Sequence, residues 1–200
     1  MTTTSDASRE RQVLRRVLAL NATMFAIELV ASWWGDSIGL LADSLDMLAD
    51  AAVYGLALAA VSRSTQGQAR AASISGTLQI ALGAGALLEA VRRIVMGSQP
   101  EGGLMAAIGL LALVANVASL FLLAPVRRGR VHLRAAWIFS TNDVLANVGV
   151  ITSGLLVGLL DSRIPDLLIA SIIAVIVIRG GLKIRRDASA TLRAAQQATV

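Results

Sequence analysis

The sequence contains no cysteine and a single histidine, His132. Without thiols there is no disulfide framework and no thiolate metal ligand. There is no H-E-x-x-H, and no serine–histidine pairing is evident, so an intramembrane enzyme is not expected. Charge is scarce as well: 16% of the residues are charged against 56% hydrophobic, and mean hydropathy is +0.69. A soluble domain of 200 residues would need far more polar surface to cover one core. Net charge is +5 at pH 7, yet the basic residues stand between apolar runs and lack the interleaved aromatics of a nucleic-acid-binding face. Nucleic acid is therefore excluded as a partner, and the lipid bilayer takes its place.

What the chain has in abundance is apolar runs of about 20 residues, the length that crosses a bilayer. Residues 1–10 (MTTTSDASRE) are polar and small and are expected to be disordered. A basic stretch then leads into an apolar run from Val17 to Trp34. It is too long for a signal-peptide core, carries Asn21 and Glu28, and ends in Trp33-Trp34, which suit a membrane interface. The spacing predicts six transmembrane helices over residues 11–34, 37–62, 69–96, 104–126, 133–160 and 164–186, an all-α membrane domain spanning 11–186. A tail over 187–200 is too short for a further domain. The connections are short, which makes sequential helices antiparallel neighbours. Basic residues assign the sides. Arg9, Arg11, Arg15 and Arg16, then Arg63 and Arg70, then Arg127, Arg128, Arg130 and Arg134, and finally Arg179, Lys183, Arg185, Arg186 and Arg193 fall on one side; Arg92, Arg93 and Arg163 fall on the other. Both termini are expected in the cytoplasm.

Acidic side chains stand where lipid should be. Helix two reads GLLADSLDMLADAAVYG, and Asp43, Asp46 and Asp50 fall within a stripe of about 60° on it. Helix five carries Asp143 near its middle and Asn147 one turn on, on the same face. At 1.5 Å per residue, Asp50 and Asp143 lie about 18 and about 15 Å from the cytoplasmic ends of their helices, so the two helices can present carboxylates to each other near mid-membrane. Each buried charge costs a few kcal/mol, and no basic residue shares that depth. Protonation, water or a bound cation must compensate, and hard oxygen ligands four apart on one helix facing a third on another make a cation site. Asp43, nearer the outer end, fits a structural or entry-path role as well as ligation. Asn21 and Glu28 share a face of helix one, as packing glue or as part of the cavity, with glue preferred. Ser140 and Ser153 are read as hydrogen-bonded to helix backbone.

These residues resemble the cation diffusion facilitator family. The likeness runs from NATMFAIELVASWWGDSIGLLADSLDMLADAAVYG through HLRAAWIFSTNDVLANVGVITSGLLVGLLDSRIPDLLIASIIAVIVI. It includes the asparagine and glutamate of helix one, the S-I-G-L-L-A-D-S-L-D pattern, L-R-A-A-W and I-P-D. The resemblance implies proton-coupled antiport of zinc or a similar divalent cation out of the cytoplasm, usually by a homodimer. It also implies two ligands four apart on helix two, matched by Asp46 and Asp50, and two on helix five. Asp143 matches the second of these, while the first falls on Phe139, which cannot ligate a metal. Water, Asn142, Asn147 or Asp43 would have to fill the fourth position. Asn142 is about 100° off the Asp143 face, so Asn147 is the better substitute. An all-oxygen site brings manganese, iron and cobalt into play beside zinc and cadmium.

The resemblance further implies a ferredoxin-like domain after helix six and a histidine-rich loop between helices four and five. The chain has neither, so it is expected to be a truncated member, with His132 interfacial. Any dimer would then form through the membrane domain, where Ala81–Gly85 and Ala86–Ala90 give helix three a small-residue face. The expected location is the plasma membrane, the bacterial inner membrane, as a multi-pass protein. The leading expectation is a proton-coupled divalent cation exporter. The alternatives are a non-transporting membrane subunit derived from one, or an exporter of small organic cations.

Overall fold

The computed structural model describes residues 4–60, 65–124 and 131–197, with side chains outside the description at 4–7, 10, 57, 60, 65, 68, 131–142 and 195–197. Those segments form six helices: α1 (Thr4–Trp34), α2 (Ile38–Ala60), α3 (Thr65–Met96), α4 (Gly102–Leu123), α5 (Val131–Leu160) and α6 (Ile164–Gln197). The element count and order follow the apolar runs. Two ends differ from expectation. Residues 4–10, expected to be disordered, are the start of α1, and α6 runs on through the supposed tail to Gln197. Both stretches are polar, which rules out a core of their own, but neither contains Gly or Pro, and Ala, Arg, Glu and Gln favour helix continuation.

Each described connection turns on a left-handed residue: Asp36 (φ 44°), Gly97 (φ 92°) and Asp161 (φ 48°). Such residues end helices by reversing the backbone, and Asp tolerates the conformation better than most non-glycine residues. The three connections are stitched together at one end of the bundle. Glu101 N–H donates to the Gly35 carbonyl at 2.8 Å, and Gln99 N–H donates to Asp36 Oδ2 at 2.7 Å. The Arg93 guanidinium donates to the carbonyl and carboxylate of Asp36, while Arg163 reaches the carbonyls of Arg93 and Ile94. Arg92, Arg93 and Arg163, assigned together on charge counting, do share this end.

Packing divides the helices into a group of α1, α2, α4 and α5 and a pair, α3 with α6, with α2 touching all five others. The pair is antiparallel and close: a Cβ on Gly76 would lie 2.6 Å from the Gly181 carbonyl oxygen, and one on Gly181 would lie 2.6 Å from that of Gly76. Only a residue without Cβ allows backbones to cross at that distance. Ala86 and Ala90, read as half of a dimer face, are buried in the chain's own core together with Ala170, Ile173 and Ala174 of α6. Ala81 and Gly85 remain exposed on the other side of α3.

The distribution of polarity is inverted relative to a water-soluble bundle. Leu88, Leu145, Val91 and Phe121 point outward, whereas Asn21, Glu28, Asp43, Gln79, Asn116 and Asn147 are buried. An apolar exterior of this extent needs an apolar surrounding. Segments of α1, α3, α4, α5 and α6 are long and apolar enough to cross a membrane. Helix α2 has 23 residues, about 35 Å, but its three aspartates set it apart.

Candidate metal centre

The acid stripe of α2 lies between two apolar layers. Toward the stitched end, Ile38, Leu40 and Ala42 join the largest core cluster; toward the other end Tyr54 packs with Leu14, Val17 and Leu123. Polar side chains held between such layers stand in largely apolar surroundings. Asp43 and Asp50 are buried, Asp46 is half-buried, and Asp143 of α5 is buried opposite them. The carboxyls of both Asp46 and Asp50 lie within side-chain hydrogen-bonding reach of Asp143. Tyr54 Oη, one turn below Asp50, donates a long hydrogen bond of 3.5 Å to Asp50 Oδ2. The three aspartates expected to converge are thus neighbours.

Asn147 is fully buried. Its Nδ2 donates to the carbonyl of Asp143 at 2.7 Å, which turns Oδ1 away from its own helix backbone; that oxygen has no partner. A carbonyl-type oxygen left free beside Asp143 is what a hard cation takes as a ligand. Phe139, Asn142, His132 and Ser140 lie outside the residues whose side chains are described. Ser153, expected to bond to helix backbone, is buried with Oγ unpartnered. Its helix passes close to α4 at this level, where Gly102 and Gly154 meet backbone to backbone.

Among the described residues, the ion pairs join Arg92 and Arg93 to Glu89, and Arg93 to Asp36, all at the stitched end. None reaches the α2 stripe. Nor do three or more carboxyl or imidazole groups already stand in a metal-holding arrangement among the described residues. A cation would have to draw the neighbouring carboxyls in around itself.

The model of the cation efflux transmembrane domain matches residues 14–192. The chain belongs to the cation efflux family. Relatives include the zinc transporter ZitB of Escherichia coli K12, 29% identical over 200 residues, covering 92% of this chain and 64% of the relative. The metal cation efflux system protein CzcD of Cupriavidus metallidurans is 27% identical over 156 residues, 72% of this chain and 49% of that protein. ZitB of Pectobacterium atrosepticum is 27% identical over 190 residues, 86% and 59% respectively. The chain therefore spans less than two thirds of the length of these relatives. With the inverted polarity of the fold, membership makes this cation efflux domain a multi-pass membrane protein.

One anchoring contact of the cation efflux domain leaves no local pattern in the sequence. Asp166, fully buried at the start of α6, caps the N-terminus of α2 from 128 positions away. Its Oδ2 accepts from Ile38 N–H at 2.9 Å, and Oδ1 accepts from Gly39 N–H at 2.8 Å and Ser37 Oγ at 2.7 Å. Ser37 Oγ in turn accepts from Leu40 N–H at 3.1 Å. The free N–H groups and positive end of α2 are satisfied by a carboxylate from another helix. The I-P-D sequence was visible, but its role needed the partner's position.

Proposed function

We propose that this cation efflux domain carries divalent metal cations out of the cytoplasm in exchange for protons, across the bacterial inner membrane, with Asp46, Asp50, Asp143 and Asn147 as the transport site. The observation that carries the reading is the meeting of Asp46 and Asp50 with Asp143, in a buried layer without an ion-paired base among the described residues. Removing a divalent ion from water needs several oxygen ligands in compensation, which three carboxylates and an amide oxygen supply. When the ion leaves, protons take its place, since unpaired charges cannot remain in that layer.

The topology belongs to the same reading: six spans, α2 included, with both termini in the cytoplasm and the stitched connections outside. Helix α2 crosses because its aspartates face other helices rather than lipid. Zinc, named for the two ZitB relatives, stands beside manganese, iron, cobalt and cadmium as cargo, because the donors are all oxygen. Pairing of two copies through the exposed Ala81–Gly85 strip is part of the proposal. In proteoliposomes, a pH gradient should drive metal uptake by the wild-type chain, and Asp50→Ala and Asp143→Ala should each abolish it. Unchanged flux in both variants removes the proposed site. Phe139, standing where the family places a ligand, favours a second reading as a non-transporting subunit; robust flux by the purified chain eliminates it.

A further inference from the structure

Helix α1 faces the acid stripe of α2 with polar groups of its own. Leu14 and Val17 pack with Tyr54, and Met24 packs with Met47. Continuing this antiparallel register sets Asn21 opposite Asp50 and Glu28 opposite Asp43. The electrostatics agree: Glu28 interacts first with Asp43 and then with Asp46. Glu28 is 0% exposed and both its carboxyl oxygens are without a hydrogen-bond partner. Asp43, 1% exposed, has Oδ2 unpartnered, and Asn21, 2% exposed, has Oδ1 unpartnered because its amide nitrogen donates to Val17.

A glutamate used to glue helices would donate or accept across the interface, and Glu28 does neither. A proton shared between Glu28 and Asp43 would place an O–H···O hydrogen bond between them, yet both oxygens of Glu28 are unpartnered. Buried carboxylates that face one another from two helices without a donor between them match the needs of a hard cation.

We propose that Glu28 and Asp43 form a second station for the cargo cation, on the seam between α1 and α2, lying between the Asp46–Asp50–Asp143 site and the stitched end of the bundle. The proposal rests on the reading of this domain as a divalent cation carrier. Asp43 precedes Asp46 by three residues, about 4.5 Å along the helix, and Asp50 by seven, about 10 Å. An ion leaving the Asp46–Asp50–Asp143 site toward the stitched end therefore meets the Glu28–Asp43 pair within one or two turns. Two stations at that spacing let an ion be handed on without facing the full cost of an apolar barrier in one step.

The test counts Mn²⁺ bound per chain on the full-length protein in detergent, by equilibrium dialysis. The wild type should hold two ions; Glu28→Gln and Asp43→Asn should each hold one; Asp50→Asn should keep only the ion at Glu28–Asp43; and the Glu28→Gln/Asp50→Asn double variant should hold none. Glutamine keeps the shape of a protonated glutamate, so metal-free Glu28→Gln should melt at about the same temperature as the metal-free wild type. One ion per wild-type chain, or two retained by both Glu28→Gln and Asp43→Asn, overturns the second station. A lower melting temperature with an unchanged ion count assigns Glu28 to structure and overturns it too. If instead Asp50→Asn loses no ion while Glu28→Gln and Asp43→Asn each lose one, the Asp46–Asp50–Asp143 site fails and the Glu28–Asp43 station stands.

Discussion

At the scale of single residues, the proposed site is a problem of uncompensated charge. Three aspartates on one stripe of α2 and one on α5 had no base at their depth, and the fold gathers Asp46, Asp50 and Asp143 together. What spacing could not give was the state of each atom. That Asn147 spends its nitrogen on the Asp143 carbonyl and keeps its oxygen free depends on a side-chain rotation. Tyr54, one turn on from Asp50, donates to its carboxyl because four residues bring the two to the same face of α2. If the Asn147 oxygen is the fourth ligand, Asn147→Leu should weaken metal binding by about 10- to 100-fold, the range seen when groups supporting a metal are lost. Titration calorimetry of the purified variant checks this, and an unchanged affinity assigns the fourth position to another group. Phe139→His tests the same position from the opposite direction. An added imidazole should raise the preference for Zn²⁺ over Mn²⁺, read as the ratio of their fluxes in liposomes.

At the scale of elements, helices were easy to locate and their mutual anchoring was not. Apolar runs punctuated by Gly35-Asp36, Gly97 and Asp161 fixed the order of elements, because the same residues that break a hydrophobic run also reverse the backbone. Contacts between distant elements leave no local pattern. The close crossing of α3 and α6 at Gly76 and Gly181 was hidden among the many small residues of the chain, and of the two pairs singled out instead, Ala86–Ala90 turns inward while Ala81–Gly85 stays exposed. The cap supplied by Asp166 to α2 is the clearest case. Since it satisfies Ile38, Gly39 and Ser37 together, Asp166→Ala should destabilise the domain by about 3 kcal/mol, given about 1.5–3 kcal/mol for a hydrogen bond to a charged group and a penalty for each buried donor left unmade. Ser37→Ala should cost about 1 kcal/mol, because it leaves the carboxylate and its two backbone donors in place. Unfolding titrations in mixed micelles measure both. Equal effects of the two substitutions would mean that the carboxylate is not what holds the end of α2.

At the scale of the whole molecule, the up-and-down course of the chain makes orientation a single choice. The connections 35–37, 97–101 and 161–163 meet at one end through Gly35–Glu101 and Arg163–Arg93. Helices α1 and α6 therefore end their chain termini at the opposite face. Basic residues concentrate at that face, on the first turns of α1 and the last turns of α6. At 34 residues, α6 is about 51 Å long against a hydrocarbon core of about 30 Å, so its basic end reaches well beyond the apolar zone. By the positive-inside rule, the orientation proposed for the domain has its termini in the cytoplasm and the stitched end outside. The absence of cysteine makes this testable without background, since each introduced thiol is the only one in the chain. In intact cells, a membrane-impermeant maleimide should label Gln99→Cys, whose side chain is exposed at the stitched end, and should leave Arg9→Cys and Arg193→Cys unlabelled until the cells are opened. The reverse pattern would invert the molecule. An ion passing from the Asp46–Asp50–Asp143 site to Glu28–Asp43 would then be moving toward the cytoplasm, and the domain would be built for uptake rather than efflux.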